Sequence, residues 1–161
     1  MKYYTGVGSR NTPDNIKGLM VRIARWMKER NWMLRTGDAR GADAAFAEGA
    51  GEDCEMFFAH DATTEAALIA RQFHPAWNKM SDHAQKLHAR NAFQVLGRDL
   101  KTPSNILICW TPDGCSSHSS RSIRTGGTGT AISIASENGI PVYNLADMEA
   151  LLKIQERIGE R

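Results

Sequence analysis

Apolar residues follow two alternating patterns along this chain. Short apolar runs are typical of strands, whereas apolar positions that recur every three or four residues are typical of helices. Residues 104–110, "SNILICW", are apolar almost throughout, as expected for a central parallel strand that is buried on both faces. The predicted strands, in chain order, are residues 2–7, 32–36, 54–59, 104–110 and 140–145.

Helical periodicity fills most of the intervals between these strands. Residues 12–31 form the clearest case, with Pro13 near the predicted start of the helix. The apolar positions that share one face of this helix are Ile16, Leu19, Met20, Ile23, Ala24 and Met27. The other predicted helices are an alanine-rich segment ending near Ala50, two segments of residues 62–100 separated near Pro75, residues 130–139, and a closing amphipathic segment at about 147–158.

The regular alternation of strand and helix predicts an α/β protein. We expect a single domain over residues 1–161, built as a doubly wound parallel sheet of about five or more strands with helices on both faces. In such sheets, ligands bind outside the carboxyl ends of the strands where the strand order reverses. With the usual order, the first and fourth strands flank that point, so the loops that follow them are the candidate ligand loops.

The loop after the fourth strand contains "RTGGTGTA", residues 124–131. Its glycines let the backbone approach a ligand closely, and a helix that begins near Thr128 would point free N–H groups at an anion. A glycine-rich turn that serves only the packing of the helix is the alternative. No Walker pattern accompanies the motif.

Three weaker motifs accompany this loop. "GVGSRN", residues 6–11, fails as a dinucleotide fingerprint because Asn11 replaces the third glycine, but it fits a tight turn that exposes Ser9 and Arg10, or a plain surface turn. "GDARGAD", residues 37–43, makes Asp43 a helix cap or a ligand group. "LHARN", residues 87–91, places Arg90 on a helix, where an arginine is usually solvated.

Composition and net charge indicate no particular class of binding partner. The 161 residues are 42% hydrophobic and 24% charged, and the formal net charge of +2 indicates neither a nucleic acid nor a membrane as the partner. Three cysteines without metal-ligand or disulfide spacing favour a reducing compartment, so we expect a cytoplasmic protein without metal or cofactor.

Residues 113–124 are small and polar, typical of a lid or of a disordered loop with no role. Trp26 and Trp32 look exposed and would suit a homo-oligomer interface.

In their order, the motifs "GVGSR", "TGDARGADAAF", "LHARN" and "TGGTGTAISIA…GIPVYNL" resemble the SLOG superfamily. That superfamily includes the DNA-processing protein DprA/Smf and the LOG phosphoribohydrolases. The chain is most similar to the short, single-domain DprA-like proteins of phages and prophages. The resemblance implies a Rossmann-like domain that binds nucleotides or nucleotide-derived ligands at its glycine loops.

The LOG motif "PGGxGTxxE" and its helical arginine match this chain only in part. Arg90 supplies the arginine, whereas Thr125 stands in the place of the proline and Ser133 in the place of the glutamate. Cleavage of an N-glycosidic bond passes through an oxocarbenium-like state that a carboxylate stabilises, and serine is a poor substitute. Glu137, one turn further along the helix, is the catalytic candidate beside Arg90 if the protein is an enzyme; Asp43 and Asp113 are other carboxylates that could approach the pocket.

The sequence therefore predicts a protein that binds a nucleotide or nucleotide-derived ligand, such as a cyclic or ADP-ribose-type signalling nucleotide, without turning it over. The alternatives are a LOG-like nucleoside-5′-monophosphate phosphoribohydrolase and a DprA-like binder of single-stranded DNA. The expected ligand-binding residues are Gly8, Ser9, Arg10, Gly37, Gly41, Asp43, Arg90, Asn91, Trp110, Arg124, Thr125, Gly126, Gly127, Thr128, Gly129 and Thr130. Trp77 is either a core residue or a base-stacking wall.

Overall fold

The computed structural model describes residues 1–159, which form five strands and six α-helices. The strands are β1 (Lys2–Gly8), β2 (Trp32–Gly37), β3 (Cys54–Phe57), β4 (Ile106–Trp110) and β5 (Val142–Asn144). The helices are α1 (Asp14–Glu29), α2 (Ala42–Ala50), α3 (Thr64–Arg71), α4 (Asp82–Leu96), α5 (Thr128–Glu137) and α6 (Ala150–Gly159). Each element lies where the hydrophobic pattern predicts it.

All neighbouring strands are parallel, and their order in the sheet is β3-β2-β1-β4-β5. The chain moves outward from β1 to β3, crosses the sheet, and resumes at β4 on the other side of β1. The strand order therefore reverses between β1 and β4. The α/β class and the Rossmann-like, doubly wound arrangement are confirmed.

The sheet separates two hydrophobic layers. Tyr4, Leu34 and Ile108 pack with α1, α2 and α6 on one face. Leu107 and Phe57 pack with α4 and α5 on the other. Successive side chains of a strand point to opposite faces, so the adjacent residues Leu107 and Ile108 enter different layers. The continuous apolar run of β4 is thus required by helices on both sides of the sheet.

Small differences from the predicted elements have local causes. Helix α5 begins at Thr128, as expected from the glycine motif and two residues before the periodic segment 130–139, and the backbone already adopts helical geometry at Gly127, with φ −63° and ψ −25°. Helix α6 begins at Ala150 and not near residue 147. The preceding turn is closed by hydrogen bonds from the Asp147 N–H to the Asn144 carbonyl and from the Ala150 N–H to the Asp147 carbonyl.

The burial of the tryptophans differs in part from the exposure expected from the sequence. Trp32 is buried in the first hydrophobic layer, so its predicted exposure is wrong, and Trp26 is only half-buried against the same layer. Trp77 is buried, in agreement with the core alternative.

No helix within residues 1–159 is both long enough and apolar enough to cross a membrane.

Candidate functional site

A cavity of about 520 Å³ opens at the carboxyl end of β1, where the strand order reverses. Most of its lining residues come from three segments: the turn after β1 (residues 8–11), helix α4, and the loop at residues 124–128 that leads into α5. The volume lies within the range of ordinary small-molecule pockets. The topology therefore brings the candidate ligand loops after the first and fourth strands to one concave site.

The glycine loop forms one wall of the cavity. Gly127 stands at the N-cap of α5 and has no side chain to accept a hydrogen bond from the first N–H groups of the helix. The Gly129 N–H already donates to the Gly126 carbonyl at 3.0 Å, and the other N–H groups of the first turn and the positive end of the helix dipole are available to an anion. Thr128, on the first turn, and Arg124, just before the glycines, also line the cavity.

The two glycines at the centre of this loop have unusual surroundings. Gly126 has φ +70°, which favours glycine, whereas Gly127 has an ordinary helical conformation that any residue adopts. A methyl group built on either residue would meet no atom within 4 Å elsewhere in residues 1–159, apart from the adjoining residues of the chain. Neither packing nor backbone conformation requires a glycine at position 127.

The turn after β1 is packed more tightly. A Cβ at Gly8 would lie 2.7 Å from the Ala42 Cβ, so glycine is needed where α2 crosses the strand. The Ser9 carbonyl accepts hydrogen bonds from the Thr12 hydroxyl at 2.6 Å and from the Ala42 N–H at 3.3 Å. These bonds join the turn to α2 and place Ser9 and Arg10 at the cavity edge.

A cluster of charged side chains lies at the end of the cavity near α2. The buried guanidinium of Arg90 donates a hydrogen bond to Asp38 and lies 3.8 Å from the Asp43 carboxylate. Asp43 also accepts from the Ala39 N–H at 3.2 Å. Burial raises the pKa of Asp43 to about 6, although Arg90 and the Ala39 N–H oppose this shift. Asp43 is thus a buried carboxylate and not an exposed helix cap.

Gly37 explains how this cluster fits against the sheet. A Cβ there would lie within 2.8 Å of Asp43, Gln94 and Arg90 side-chain atoms. Within residues 1–159, Arg90 Nε and Gln94 Oε1 are buried without a hydrogen-bond partner. Each buried polar atom left unsatisfied costs about 1–3 kcal/mol. The cluster is therefore not fully satisfied by the protein alone.

Helix α4 contributes a wall of which the motif "LHARN" reveals only a part. Ala84, Leu87, His88 and Asn91 line the cavity with helical spacing. His88 Nδ1 is hydrogen-bonded to Thr130 Oγ1 at 2.8 Å, and burial, with the charges of Arg121 and Arg90 and the neighbouring His74, lowers the pKa of His88 to about 4. His88 is accordingly neutral near pH 7. The spacing of these residues is visible in the sequence, but the sequence does not identify which face of α4 borders the ligand cavity.

Most of the expected ligand-binding residues meet at this cavity. Those that line it are Gly8, Ser9, Arg10, Asp43, Arg90, Asn91, Arg124, Thr125, Gly126, Gly127 and Thr128. Its further lining residues, which were not among the expected ones, are Val7, Asn11, Ala39, Ala84, Leu87, His88, Gln94, Pro112 and Ala131.

Five expected residues lie behind the lining, and each has another structural role. Gly37 makes room for the charged cluster, and Gly41 has φ +81° beneath the turn after β1. Trp110 packs against the first hydrophobic layer. Gly129 is covered by the side chain of Arg121, and the buried Thr130 is hydrogen-bonded to His88 and Arg121.

Ser133 and Glu137, the two positions discussed for catalysis, are not among the residues that line the cavity. Ser133 is fully buried behind the cavity and is hydrogen-bonded to His118 at 2.7 Å and to Arg121 at 3.2 Å. Glu137 is exposed at the far end of α5, about 13 Å along the helix axis from Thr128. The carboxylate that does line the cavity is Asp43.

No family model, curated protein or solved structure matches this chain. Within residues 1–159, no three His, Cys, Asp or Glu side chains come together as a group that could hold a metal ion. Three arginines and one aspartate line the cavity, which gives it an excess of positive charge. This arrangement suits a small anionic ligand with additional polar groups.

Proposed function

We propose that this protein binds a small nucleotide or nucleotide-derived ligand in the cavity between β1, α4 and the glycine loop, and holds it without turnover. The phosphate would occupy the space beside Gly126 and Gly127, where it accepts hydrogen bonds from the N-terminus of α5. Arg10 and Arg124 would add positive charge at the cavity wall. The resemblance of the motifs to the SLOG superfamily supports the same proposal.

The observation that carries the proposal is the open space around Gly127. A glycine in a helical conformation normally costs stability relative to alanine, by about 0.5–1 kcal/mol. Glycines that serve packing, such as Gly8 and Gly37, have neighbours that a Cβ would strike, whereas Gly127 has none within 4 Å beyond the adjoining residues. A ligand that must approach the backbone of residue 127 accounts for a glycine at this position.

The rest of the cavity supports a ligand larger than inorganic phosphate. Ala84 and Leu87 provide an apolar surface on α4, suited to the flat face of a nucleobase. Asp43 and Asn91 offer polar groups in the same cavity. A concave cavity of about 520 Å³ fits one nucleotide better than a polymer, which requires an extended basic groove with aromatic platforms.

The test combines ligand identification with titration. Protein purified under native conditions is denatured, and the released compounds are identified by mass spectrometry. Stripped protein is then titrated calorimetrically with AMP, ADP, cyclic AMP, ADP-ribose and adenosine. The expected result is binding of at least one phosphorylated compound more tightly than adenosine. Absence of binding to every compound, together with no released nucleotide, would contradict the proposal. Tight binding of labelled single-stranded DNA with a steep salt dependence would favour the DNA-binding alternative.

Asp43 supports a second candidate function, hydrolysis of the N-glycosidic bond of a nucleoside 5′-monophosphate. A carboxylate in the cavity could accept a proton from water as the oxygen attacks C1′, while the bond between C1′ and the base breaks and the departing base takes up a proton from solvent. The products would be the free base and ribose 5-phosphate. Asp43 is held by Arg90 and lines the cavity, whereas Ser133 and Glu137 do not.

Product analysis separates this second candidate from binding without turnover. The protein at high concentration is incubated with each common nucleoside monophosphate, and free base is measured by chromatography. Release of base that is lost in Asp43→Asn would establish hydrolysis. No release from a nucleotide that calorimetry shows to be bound would leave binding alone.

A further inference from the structure

Asp113 lies in the loop after β4 and connects that strand to the glycine loop. Its Oδ1 accepts hydrogen bonds from the Thr111 hydroxyl at 2.8 Å and from the Cys115 N–H at 3.2 Å. Its Oδ2 accepts from the Ser122 hydroxyl at 2.8 Å and from the Thr125 hydroxyl at 2.5 Å. One carboxylate thus joins four groups on two separate parts of the loop.

The two hydroxyls on Oδ2 control a short 3₁₀ turn, Ile123–Thr125. The Ser122 hydroxyl also accepts from the Arg124 N–H at 3.2 Å, and the Thr125 hydroxyl accepts from the Ser122 N–H at 2.9 Å. Because both hydroxyls donate to Asp113, their oxygens are oriented to cap the turn. Gly126 and Gly127 follow immediately, so this turn sets the entry of the backbone into the glycine loop.

The other side of the connection is anchored in the sheet. Asn144, at the end of β5, donates from Nδ2 to the Thr111 hydroxyl at 2.7 Å and to the Cys115 carbonyl at 2.9 Å. Thr111 and Asn144 are both buried. Hydrogen bonds therefore run from the carboxyl ends of β4 and β5, through Asp113, to the residue that precedes the glycines.

We propose that Asp113 is a positioning residue for the ligand: through Thr125 it holds the glycine loop in the conformation that presents the N-terminus of α5 to a phosphate. This inference rests on the proposed nucleotide-binding function. Asp113 itself does not line the cavity, and its carboxylate is occupied by four donors, so it neither contacts the phosphate nor repels it at close range.

The ionised form of Asp113 fits this role. Burial raises its pKa, but the hydrogen bonds from Thr125, Thr111, Ser122 and the Cys115 N–H outweigh that effect and lower the pKa to about 2. The carboxylate is an acceptor at both oxygens throughout the neutral range. An asparagine of the same shape would instead place an NH₂ donor against either Thr111 and Cys115 or Ser122 and Thr125.

The experiment compares Asp113→Asn and Thr125→Val with the unaltered protein, using AMP and adenosine as probes in calorimetric titrations. Both variants should weaken AMP binding by about tenfold or more. In Asp113→Asn, whose altered side chain is not among those lining the cavity, the affinity for adenosine should stay within about twofold because adenosine has no phosphate. Thr125→Ser keeps the hydroxyl and should restore AMP binding. The double variant should bind AMP no more weakly than Asp113→Asn alone, because both changes break one connection.

Asp99→Asn is the matched control. Asp99 also lies in a loop and accepts from a backbone N–H, that of Lys101, and from a threonine hydroxyl, that of Thr102, but it is not among the residues that line the cavity. The Asp99→Asn substitution should leave the affinity for AMP unchanged. Equal losses for AMP and adenosine would overturn the positioning role in favour of a general structural one. Unchanged AMP binding in both variants would overturn the inference while the proposed function stands; absence of nucleotide binding by the unaltered protein would overturn both.

Discussion

The two glycine-bearing ends of the cavity are built in opposite ways. Near α2, a Cβ at Gly37 would strike the Arg90–Asp43 cluster, and one at Gly41 would lie 2.6 Å from the Arg10 carbonyl oxygen. Beside α5, a Cβ at Gly126 or Gly127 would enter open space. The first end is filled by the protein itself, whereas the second leaves room beside an uncapped helix terminus.

This difference separates two reasons for a glycine that a sequence motif does not distinguish. At Gly37 and Gly41, the missing side chain allows protein atoms to pack, so these residues serve the site indirectly. At Gly127, the missing side chain leaves backbone N–H groups accessible. Substitutions at the packed end should therefore change stability, and those at the open end should change binding.

The largest expected effect on stability is that of Gly41→Ala. Its positive φ of +81° is costly for alanine, and the Cβ would clash with the Arg10 carbonyl oxygen. Strained backbone of this kind costs about 1–3 kcal/mol before the clash is added, so we expect a loss of about 3 kcal/mol in the free energy of unfolding. Urea denaturation measures this loss.

Gly139→Ala is the control for backbone strain alone. Gly139 has φ +69°, but within residues 1–159 a Cβ there would meet no atom within 4 Å beyond its chain neighbours. Its loss should be smaller, about 1–2 kcal/mol. Equal losses in the free energy of unfolding for Gly41→Ala and Gly139→Ala would show that the close packing beneath the turn after β1 adds nothing to the cost of Gly41→Ala.

A somewhat smaller effect is expected from Asp43→Asn, and it depends on pH. The pKa of Asp43 is about 6 in the folded protein and near 3.8 without burial, so the folded state binds its proton more tightly. Its contribution to stability is present below pH 4 and is lost as the pH rises through 6. The free energy of unfolding of the unaltered protein, relative to Asp43→Asn, should therefore fall on the order of 2 kcal/mol between pH 4 and pH 7.

Urea denaturation at several pH values measures this difference. Asp38→Asn is the matched control, because Asp38 also contacts Arg90 but is half exposed. This variant keeps Asp43, so its free energy of unfolding should still fall between pH 4 and pH 7. A parallel dependence for both variants would mean that Asp43 is not the buried carboxylate that titrates in this range.

The smallest effect on stability should come from Gly127→Ala. Its helical conformation and open surroundings accept a methyl group, so the free energy of unfolding should be unchanged or should rise by up to about 1 kcal/mol. The affinity for a bound nucleotide should nevertheless fall about tenfold or more, because the methyl group occupies space beside the first N–H groups of α5. Titration calorimetry and urea denaturation measure the two quantities.

Gly18→Ala provides the comparison for this variant. Gly18 lies within α1, and apart from its chain neighbours and the backbone of the helix, the nearest atom to a Cβ there is an Arg22 guanidinium nitrogen at 3.9 Å. This substitution should stabilise the protein by a similar amount without changing nucleotide affinity. If Gly127→Ala binds nucleotide as well as Gly18→Ala does, the glycine loop is not the phosphate site.

The positions of the strands and helices followed from the sequence because they depend on local periodicity. The apolar run at residues 106–109 is one example, and the face of α1 formed by Met20, Ile23, Ala24 and Met27 is another, since all of these residues are buried. Trp32 shows the limit of this reasoning. It starts a strand, and its exposure depended on helices that approach from distant parts of the chain.

The lining of the candidate site was harder to predict from the sequence, because it also depends on how the helices pack. Gly129 and Thr130 belong to the same motif as Gly127, but α5 turns them away from the cavity and toward Arg121. A helix rotates by about 100° per residue, so adjacent residues of one motif face different surroundings. Gln94 belongs to no motif, and His88, although it lies within "LHARN", was not among the expected ligand-binding residues; the packing of α4 against the sheet places both at the cavity.

The sequence by itself determined the alternation of strand and helix and the glycine loop after the fourth strand, because each depends on residues near one another in the chain; the parallel sheet was inferred from that alternation. Tertiary structure alone decided that Arg90 is tied to Asp38 and Asp43, that Asp43 is buried, and that Asp113 holds the turn before Gly126. Those relations join residues from separate elements, and pKa values and hydrogen bonds depend on the three-dimensional neighbours that folding supplies.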